Sequence, residues 1–359
     1  MGTTSDTSRR FTQGPLRSPT QPLPARDAGI RSVLVCLDRS PLSEVCLPYA
    51  ISISKTFGST LTLLHVLESR REGSGPRSGP HSTDAVGWEI YRREAREYLE
   101  RMERQATEQC GRRVDVRLEQ GHPAERIIAL ARELRADLTV LGSHGEGGIA
   151  AWNLGSTAQQ VLAVARGSVL LAPPSSSPPP SVACPKRILV PLDGSPRTES
   201  VLPTAARIAN ANGAELVLVH VIEEPQPTGV LYAPEDLELA RELFTRLESR
   251  AWRYLDHLRD RLAREGAAVR TLVIRCMDGR QALLELAQKE QTDLVVLSAH
   301  GVTCNVARSF GSVTAYLLAH SAVPLLVMQD LPEPELRAGD VVDEEVAPPL
   351  RGSYAPGAS

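Results

Sequence analysis

The sequence predicts an α/β fold of two tandem, doubly wound domains, each with a five-stranded parallel sheet and helices on both faces. The first observation is a repeat: residues 31–44, "RSVLVCLDRSPLSE", are matched by residues 186–199, "KRILVPLDGSPRTE". The second is that each copy alternates short runs rich in Val and Leu with longer amphipathic runs. Apolar runs without polar alternation are typical of parallel strands buried on both faces, which helices then cover.

Three further pairs of segments extend the repeat over most of the chain. Residues 59–68, 135–145 and 154–172 match residues 214–223, 291–301 and 310–328. We therefore place domain 1 at residues 29–173 and domain 2 at residues 185–330, joined by a Pro- and Ser-rich linker at 174–184. Residues 1–28 and the acidic, Pro-rich residues 331–359 are predicted to be disordered tails.

The elements follow in the same order in both copies. In domain 1, "SVLVCL", "TLTLLHV", "LTVLG" and "SVLLA" are predicted to be buried strands, and the alternating "VDVRL" at 114–118 is predicted to be an edge strand. Apolar residues at helical spacing predict a long helix after each second strand, with the apolar stripe in the core. These residues are Trp88, Tyr91, Ala95, Tyr98 and Met102 in domain 1, and Phe244, Leu247, Ala251, Leu255 and Leu258 in domain 2.

The composition of the 359-residue chain argues against several classes of function. The net charge of −3 is not that of a dedicated nucleic-acid binder, which would show a basic excess. No apolar run approaches the roughly 18 residues that a membrane-spanning helix needs. The six cysteines contain no CxxC pair, which favours free thiols and no metal site. We therefore expect a cytoplasmic protein that has neither a nucleic acid nor a membrane as its partner.

A glycine-rich stretch follows the fourth strand of domain 1, "LGSHGEGGIAAWNLGST" at 141–157. In doubly wound sheets, ligands bind beyond the carboxyl ends of the strands, where the strand order reverses. A glycine loop that leads into a helix N-terminus is suited to anions, because its backbone N–H groups point outward and the helix dipole favours negative charge. The hydroxyls of Ser156 and Thr157 are expected to cap this helix and to donate to a phosphate.

Three other interpretations of this stretch are weaker. A plain connection between a strand and a helix needs fewer residues and fewer glycines. A Walker A loop would require GxxxxGK[ST], and the stretch has no lysine. "GEGGIA" at 145–150 fits a dinucleotide-binding fingerprint, but that motif belongs after a first strand and is followed by an acidic residue about 20 positions on. Residues 160–172 contain no acidic residue.

The spacing of Gly142, two residues, Gly145, nine residues, Gly155 and Ser156 resembles the nucleotide loop of the ATP-binding branch of the universal stress protein family. The "VPLDGS" at 190–195 and the "HV" that closes each second strand also resemble this family. The resemblance covers both domains and implies the adenine nucleotide alpha hydrolase-like fold. It implies ATP, ADP or AMP as ligand, with or without Mg²⁺.

The resemblance also implies which residues hold the nucleotide. Asp38 and Asp193 would contact the adenosine, although each could instead cap the first helix of its domain, because Ser-Pro follows two positions later. The phosphates would lie against a set of small residues after the fourth strand. These are Gly142, Gly145, Gly155, Ser156 and Thr157 in domain 1, and Gly301, Gly311 and Ser312 in domain 2.

The two copies differ at both ends of this site. Ser298 stands where domain 1 has Gly142, and Arg39 stands where domain 2 has Gly194. If the position of Gly142 requires left-handed φ, Ser298 costs roughly 1–2 kcal/mol there. The loop of domain 2 is also bulkier than that of domain 1. We therefore expect domain 1 to be the better nucleotide site, and domain 2 to bind weakly or not at all.

The resemblance implies a nucleotide-dependent regulatory or scaffold module in a stress response, with a protein partner that the sequence does not identify. His144 and His300 lie in the loops, but no acid or nucleophile is fixed beside them, so no catalytic residue is predicted and at most slow ATP hydrolysis or autophosphorylation is expected. His65 and His220 are expected to be core residues. The alternatives are a nucleotide-free interaction protein of the same fold and an enzyme on a related adenosine-binding fold.

The fifth strands, "SVLLA" and "VPLLVM", would be exposed edges if each domain stood alone. In the family that the chain resembles, the last strand of one domain commonly pairs with that of its neighbour. We therefore predict an internal pseudo-dimer within one chain, with a homodimer of the whole chain as a further option.

Overall fold

The computed structural model describes residues 29–68, 85–145, 154–165, 167–174, 183–224, 234–302 and 309–329. The predicted tails, most of the linker and the interiors of both glycine loops lie outside these residues. Domain 1 contains β1 (Ser32–Leu37), α1 (Pro41–Glu44), α2 (Leu47–Phe57), β2 (Thr60–Glu68), α3 (Ala85–Cys110), β3 (Asp115–Gly121), α4 (Pro123–Glu133), β4 (Leu138–Gly142), α5 (Ser156–Val164) and β5 (Ser168–Ala172). Domain 2 contains β6 (Arg187–Pro191), α6 (Pro196–Glu199), α7 (Leu202–Asn212), β7 (Glu215–Glu223), α8 (Pro234–Arg264), β8 (Ala268–Cys276), α9 (Gly279–Lys289), β9 (Leu294–Ser298), α10 (Ser312–His320) and β10 (Leu325–Met328).

The first helix of each domain is split into a short and a long segment, which the simple strand–helix alternation did not predict. Ser40 is the N-cap of α1, and its hydroxyl accepts a hydrogen bond from the backbone N–H of Ser43. The second segment then starts with Pro48 in its first turn. Proline has no N–H to continue the previous helix, but it fits the first turn of a new one. The same break occurs at Pro203 of domain 2.

All ten strands form a single sheet in the order β3-β2-β1-β4-β5-β10-β9-β6-β7-β8. The strands are parallel within each domain, so the predicted α/β class and the two five-stranded units are confirmed. The alternating segment predicted at the edge is β3, which does lie at one edge of the sheet. In each domain the strand order reverses beside the first strand, which places the crevice at the carboxyl ends of β1 and β4, and of β6 and β9.

The two fifth strands join the domains. β5 pairs with β10 in the antiparallel direction, with Leu170 opposite Leu326 and Val169 opposite Val327. All four side chains are buried. The expected pairing of "SVLLA" with "VPLLVM" is therefore present within one chain.

Each face of the sheet carries an apolar core that draws on both domains. One core lies beneath α2, α3, α7 and α8, and includes Leu63 and Leu216. The other lies beneath α4, α5, α9 and α10, and includes Leu141 and Leu297. The domains also meet between α2 and α7, where the Arg207 guanidinium lies 4.7 Å above the ring centroid of Phe57. The tandem repeat therefore packs as one body.

Candidate functional site

The candidate site of domain 1 lies where β1 and β4 end side by side. Asp38 follows β1, and Gly142 is the last residue of β4. Asp38 Oδ1 accepts hydrogen bonds from the backbone N–H of Ser40 at 3.0 Å and from its hydroxyl at 2.6 Å. Because Ser40 caps α1, the carboxylate is fixed to the start of that helix. The capping interpretation is therefore right in part: Asp38 supports the cap and still reaches the crevice.

Gly145 lies directly against this carboxylate. A Cβ atom on Gly145 would collide with Asp38 Oδ2, so this position has room only for glycine while the carboxylate keeps its place. Glycine is therefore required at position 145 because the loop passes very close to the Asp38 carboxylate. The sequence spacing predicts Gly145 as a site residue, and the structure shows that the absence of a side chain there makes room for the Asp38 carboxylate.

The long loop returns to the point at which it leaves the sheet. Gly155 donates its backbone N–H to the carbonyl of Ser143 at 2.8 Å, and Ser143 donates its own N–H to the carbonyl of Ala172 at 2.7 Å. A Cβ atom on Gly155 would lie 3.9 Å from the backbone nitrogen of Gly145. The two glycines that bracket the nine-residue interval are therefore neighbours. Residues 146–153 between them lie outside the described part of the chain.

Helix α5 begins at this closure, and its capping differs from the prediction. Its N-cap is Gly155, which provides no side-chain hydrogen bond, and Ser156 is already the first helical residue. The hydroxyls of Ser156 and Thr157 therefore do not cap the helix as expected, because they lie one and two positions too late. Among the described residues, no side chain accepts from the first backbone N–H groups of α5, which leaves them available to an anion.

Domain 2 repeats the arrangement. Asp193 accepts hydrogen bonds from the N–H of Ser195 at 2.9 Å, the hydroxyl of Thr198 at 2.8 Å and the N–H of Val302 at 2.7 Å. Partial desolvation, the largest single influence, acts to raise the pKa of Asp193, but these hydrogen bonds together hold it below its ordinary value. A Cβ atom on Gly301 would meet the same carboxylate.

The loop of domain 2 closes in the same way as that of domain 1. Gly311 donates its N–H to the carbonyl of Ala299 at 2.8 Å, and it is the N-cap of α10 without a side-chain hydrogen bond. Ser312 is the first helical residue and is exposed. All ten predicted site residues thus lie at the carboxyl edge of the sheet, grouped by domain. Sequence reasoning missed Ser40 and Ser195 as supports of the acids, although the shared Asp-x-Ser-Pro pattern could have indicated them.

The expected strain at Ser298 is absent, so that expectation is wrong. Gly142 is not among the glycines with positive φ. Ser298 is buried, and its hydroxyl donates to the carbonyl of His300 at 2.5 Å. At Gly142 a Cβ atom would lie 3.0 Å from two backbone carbonyl oxygens. At this position the two domains therefore differ in the space available for a side chain, and not in backbone conformation.

The left-handed residue lies at the other end of the site and in the other domain. Arg39 has a φ of +71°, and Gly194 at the corresponding position has a φ of +83°. A residue with a Cβ in this region costs roughly 1–2 kcal/mol. Domain 1 therefore carries the conformational strain that the sequence assigned to domain 2.

Of the two histidines expected in the core, His65 is buried and His220 is half-buried. His65 and His220 each place Nδ1 beside a backbone carbonyl, of Leu37 at 2.8 Å and of Leu192 at 2.9 Å. The described cysteines are free thiols, and burial raises the pKa of Cys36 to about 12. Within the described residues, no group of three or more His, Cys, Asp or Glu side chains could hold a metal ion.

Comparison with known proteins agrees with this architecture. The model of the universal stress protein family matches residues 29–173 and 185–329. A universal stress protein of Mycolicibacterium smegmatis is 25% identical over 305 residues, covering 83% of this chain and 96% of that protein. One from Methanocaldococcus jannaschii is 28% identical over 141 residues, covering 39% of this chain and 81% of that protein.

A solved structure shares the fold across both domains. The crystal structure of a universal stress protein from Archaeoglobus fulgidus superposes with a TM-score of 0.55 at 19% identity, covering 84% of this chain and 98% of that one. The fold and the site define a tandem α/β protein with two glycine loops at the sheet edge. The chain belongs to the universal stress protein family. In the described part of the chain, no helix is long and apolar enough to cross a membrane.

Proposed function

We propose that this protein binds an adenine nucleotide, with domain 1 as the better site, and acts as a nucleotide-dependent regulatory or scaffold module in a stress response. One observation carries the proposal: Asp38, Gly145 and Gly155 converge at the uncapped N-terminus of α5. An acid that accepts from hydroxyl or amino groups and a helix end that favours anions thus stand side by side. A nucleoside phosphate presents both kinds of group.

Each residue has a distinct role in this proposal. Asp38 would accept hydrogen bonds from the ribose hydroxyls or the adenine amino group. Gly142, Gly145 and Gly155 would let phosphate oxygens approach the backbone, and the N–H groups at the start of α5 would donate to them. The Ser156 hydroxyl is exposed and could donate as well. Any Mg²⁺ would be held chiefly through the phosphates.

The preference for domain 1 is supported by the space beside the fourth strand. Domain 1 has Gly142 at the end of β4, whereas domain 2 has the buried side chain of Ser298 at the end of β9. The loop of domain 2, "VTCNVARSF", also carries bulkier side chains than "EGGIAAWNL" of domain 1, so a nucleotide has less room in domain 2. The pairing of β10 with β5 supports a second role for domain 2, as a structural partner that completes the shared sheet.

We also propose that the protein works in the cytoplasm and contacts an unidentified protein partner. The free thiols of the described cysteines fit a reducing compartment. A regulatory module without a catalytic group would need a partner to transmit its state, and a homodimer of the chain is one form that this partner could take.

The proposal is tested by calorimetric titration of the full-length protein with ATP, ADP, AMP and cyclic AMP, each with and without Mg²⁺. We expect one tight site for one of these nucleotides. Gly155→Val should weaken binding at least tenfold, because its side chain would press on the carbonyl of Ser143 and enter the phosphate region. Gly311→Val is the matched control in domain 2 and should leave the tight site unchanged. Equal losses in both variants, or no binding by the folded wild-type protein, would refute the proposal.

A further inference from the structure

A cavity lies in domain 2 at the carboxyl end of β7, on the side of that strand that faces α8. It has a volume of about 380 Å³, is open to solvent on one side, and is bordered by α8, the carboxyl end of β7 and the turn after β6. Its lining includes Gly194, Ile222, Leu247, Arg250 and Tyr254. Helix α10, which follows the glycine loop, packs against the opposite face. The cavity is therefore separate from the proposed phosphate region.

The long helices α3 and α8, which follow the second strand of each domain, can be aligned residue by residue beside this cavity. The rings of His65 and Tyr98 lie 6.2 Å apart in domain 1, and those of His220 and Tyr254 lie 6.3 Å apart in domain 2. Tyr98 on α3 therefore corresponds to Tyr254 on α8. Counting back along each helix, the position of Leu247 corresponds to Tyr91, and that of Arg250 corresponds to Glu94.

Domain 1 fills the corresponding space with a side chain of its own. The Arg39 guanidinium lies 5.3 Å from the ring centroid of Tyr91 and donates to Glu94 Oε2 at 3.2 Å. In domain 2 the turn residue is Gly194, and a Cβ atom there would have no atom within 4 Å. The Arg39 side chain thus occupies this space in domain 1, whereas the space stays open in domain 2 because Gly194 has no side chain.

The charge at the rim is reversed between the copies. Glu94 of domain 1 accepts the internal cation, whereas domain 2 places Arg250 at that position. Arg250 forms no ion pair among the described residues. The Glu223 carboxylate, which also lines the cavity, is engaged by the backbone N–H of Gly279 at 2.8 Å. The cavity therefore presents an available cation beside apolar walls.

We propose that this cavity binds a small organic anion with a flat apolar body, such as an aromatic carboxylate. Arg250 pairs with the carboxylate, while Leu247, Ala251 and Ile222 contact the rings. A volume of about 380 Å³ is at the lower end of the range for small-molecule sites, which suits a ligand of one or two rings. The inference does not rest on nucleotide binding.

The test is a titration of the full-length protein with 2-naphthoate, compared with the uncharged 2-naphthamide. We expect one naphthoate site per chain, and binding of the amide at least tenfold weaker, because only the carboxylate pairs with Arg250. Saturating ATP should leave naphthoate binding unchanged, since the cavity lies on the other face of the sheet. Displacement of naphthoate by ATP would instead make the cavity part of the nucleotide site and overturn the proposal.

Two variants locate the site. Arg250→Gln should weaken naphthoate binding at least fivefold while leaving the weak binding of the amide unchanged, and Arg253→Gln on the same helix is the matched control that should have no effect. The triple variant Gly194→Arg, Leu247→Tyr, Arg250→Glu recreates the filled state of domain 1 and should abolish binding. If that variant does not fold, Arg250→Gln alone decides. Unchanged naphthoate affinity in Arg250→Gln, equal affinity for acid and amide, or no binding would each refute the proposal.

Discussion

At the scale of single residues, the acids after the first strands connect folding to the candidate site. Asp38 and Asp193 each accept a hydrogen bond from the backbone N–H of the serine that caps the next helix. Each also lies against a loop glycine that has no room for a Cβ. One carboxylate therefore positions a helix start and a loop together, so a change at either acid is expected to affect both stability and binding.

Asp193 should make stability depend on pH in the acid range. Its folded pKa is below the ordinary value of 3.8, so its contribution to stability is fully present above that value and is lost as the pH falls through the folded pKa. Asp193→Asn should therefore lower the free energy of unfolding at pH 7 and make less difference at pH 3. Urea denaturation of both proteins at the two pH values measures this. An equal difference at both would contradict the role assigned to the carboxylate.

Gly194 should be intolerant of a side chain for conformational reasons alone. Its φ is +83°, and a Cβ atom added there would meet no other atom within 4 Å. Gly194→Ala should lower the free energy of unfolding by about 1–2 kcal/mol. Gly29 also has open space around it but no left-handed φ, so Gly29→Ala is the control and should stay within about 0.5 kcal/mol of wild type. Equal effects of the two substitutions in urea denaturation would be inconsistent with a conformational cause.

The fold was largely predictable from the sequence, whereas the strain in the site was not. The repeat and the apolar runs indicated the number of strands, and the alternating "VDVRL" indicated the β3 edge. The pairing of β5 with β10 was predicted from the family resemblance together with the apolar fifth strands. The backbone conformation at Arg39 has no such signal, because an arginine is a poor guide to left-handed φ. The space around Ser298 depends on the packing of α6 against β9, and a local sequence pattern does not predict that packing. The cavity in domain 2 depends on positions such as Gly194 and Arg250 that are far apart in the chain.

At the scale of elements, the N-terminus of α5 combines two properties that a substitution can separate. A side-chain cap at Gly155 would stabilise the helix, whereas a negative charge there would repel a phosphate. Gly155→Asp and Gly155→Asn have nearly the same shape and both offer a cap, so they should have similar stability. ATP should bind the Asp variant at least tenfold more weakly than the Asn variant. Calorimetric titration measures the difference, and equal affinities would exclude the helix end as the phosphate site.

At the scale of the whole molecule, the shared sheet should make the two domains unfold together. Leu326 on β10 is fully buried opposite Leu170 on β5. Leu326→Asp would bury an unpaired charge in a core that both domains share, so it should lower the free energy of unfolding by more than about 4 kcal/mol. Hydrogen exchange should show lost protection in α2 of domain 1 as well as in domain 2.

The matched control for this substitution is Val86→Asp, because Val86 is 69% exposed on α3. Its effect on stability should stay within about 0.5 kcal/mol. If Leu326→Asp loosened domain 2 alone, with α2 still protected, the domains would be independent units and the single packed body would be wrong.

The most direct test of nucleotide binding is native mass spectrometry of the freshly purified full-length protein, followed by chromatography of the small molecules that heat releases. We expect one adenine nucleotide per chain, which is lost in Gly155→Val and kept in Gly311→Val. Two nucleotides per chain would contradict the preference for domain 1. A folded protein that carries none and takes up none when ATP is added would contradict nucleotide binding itself.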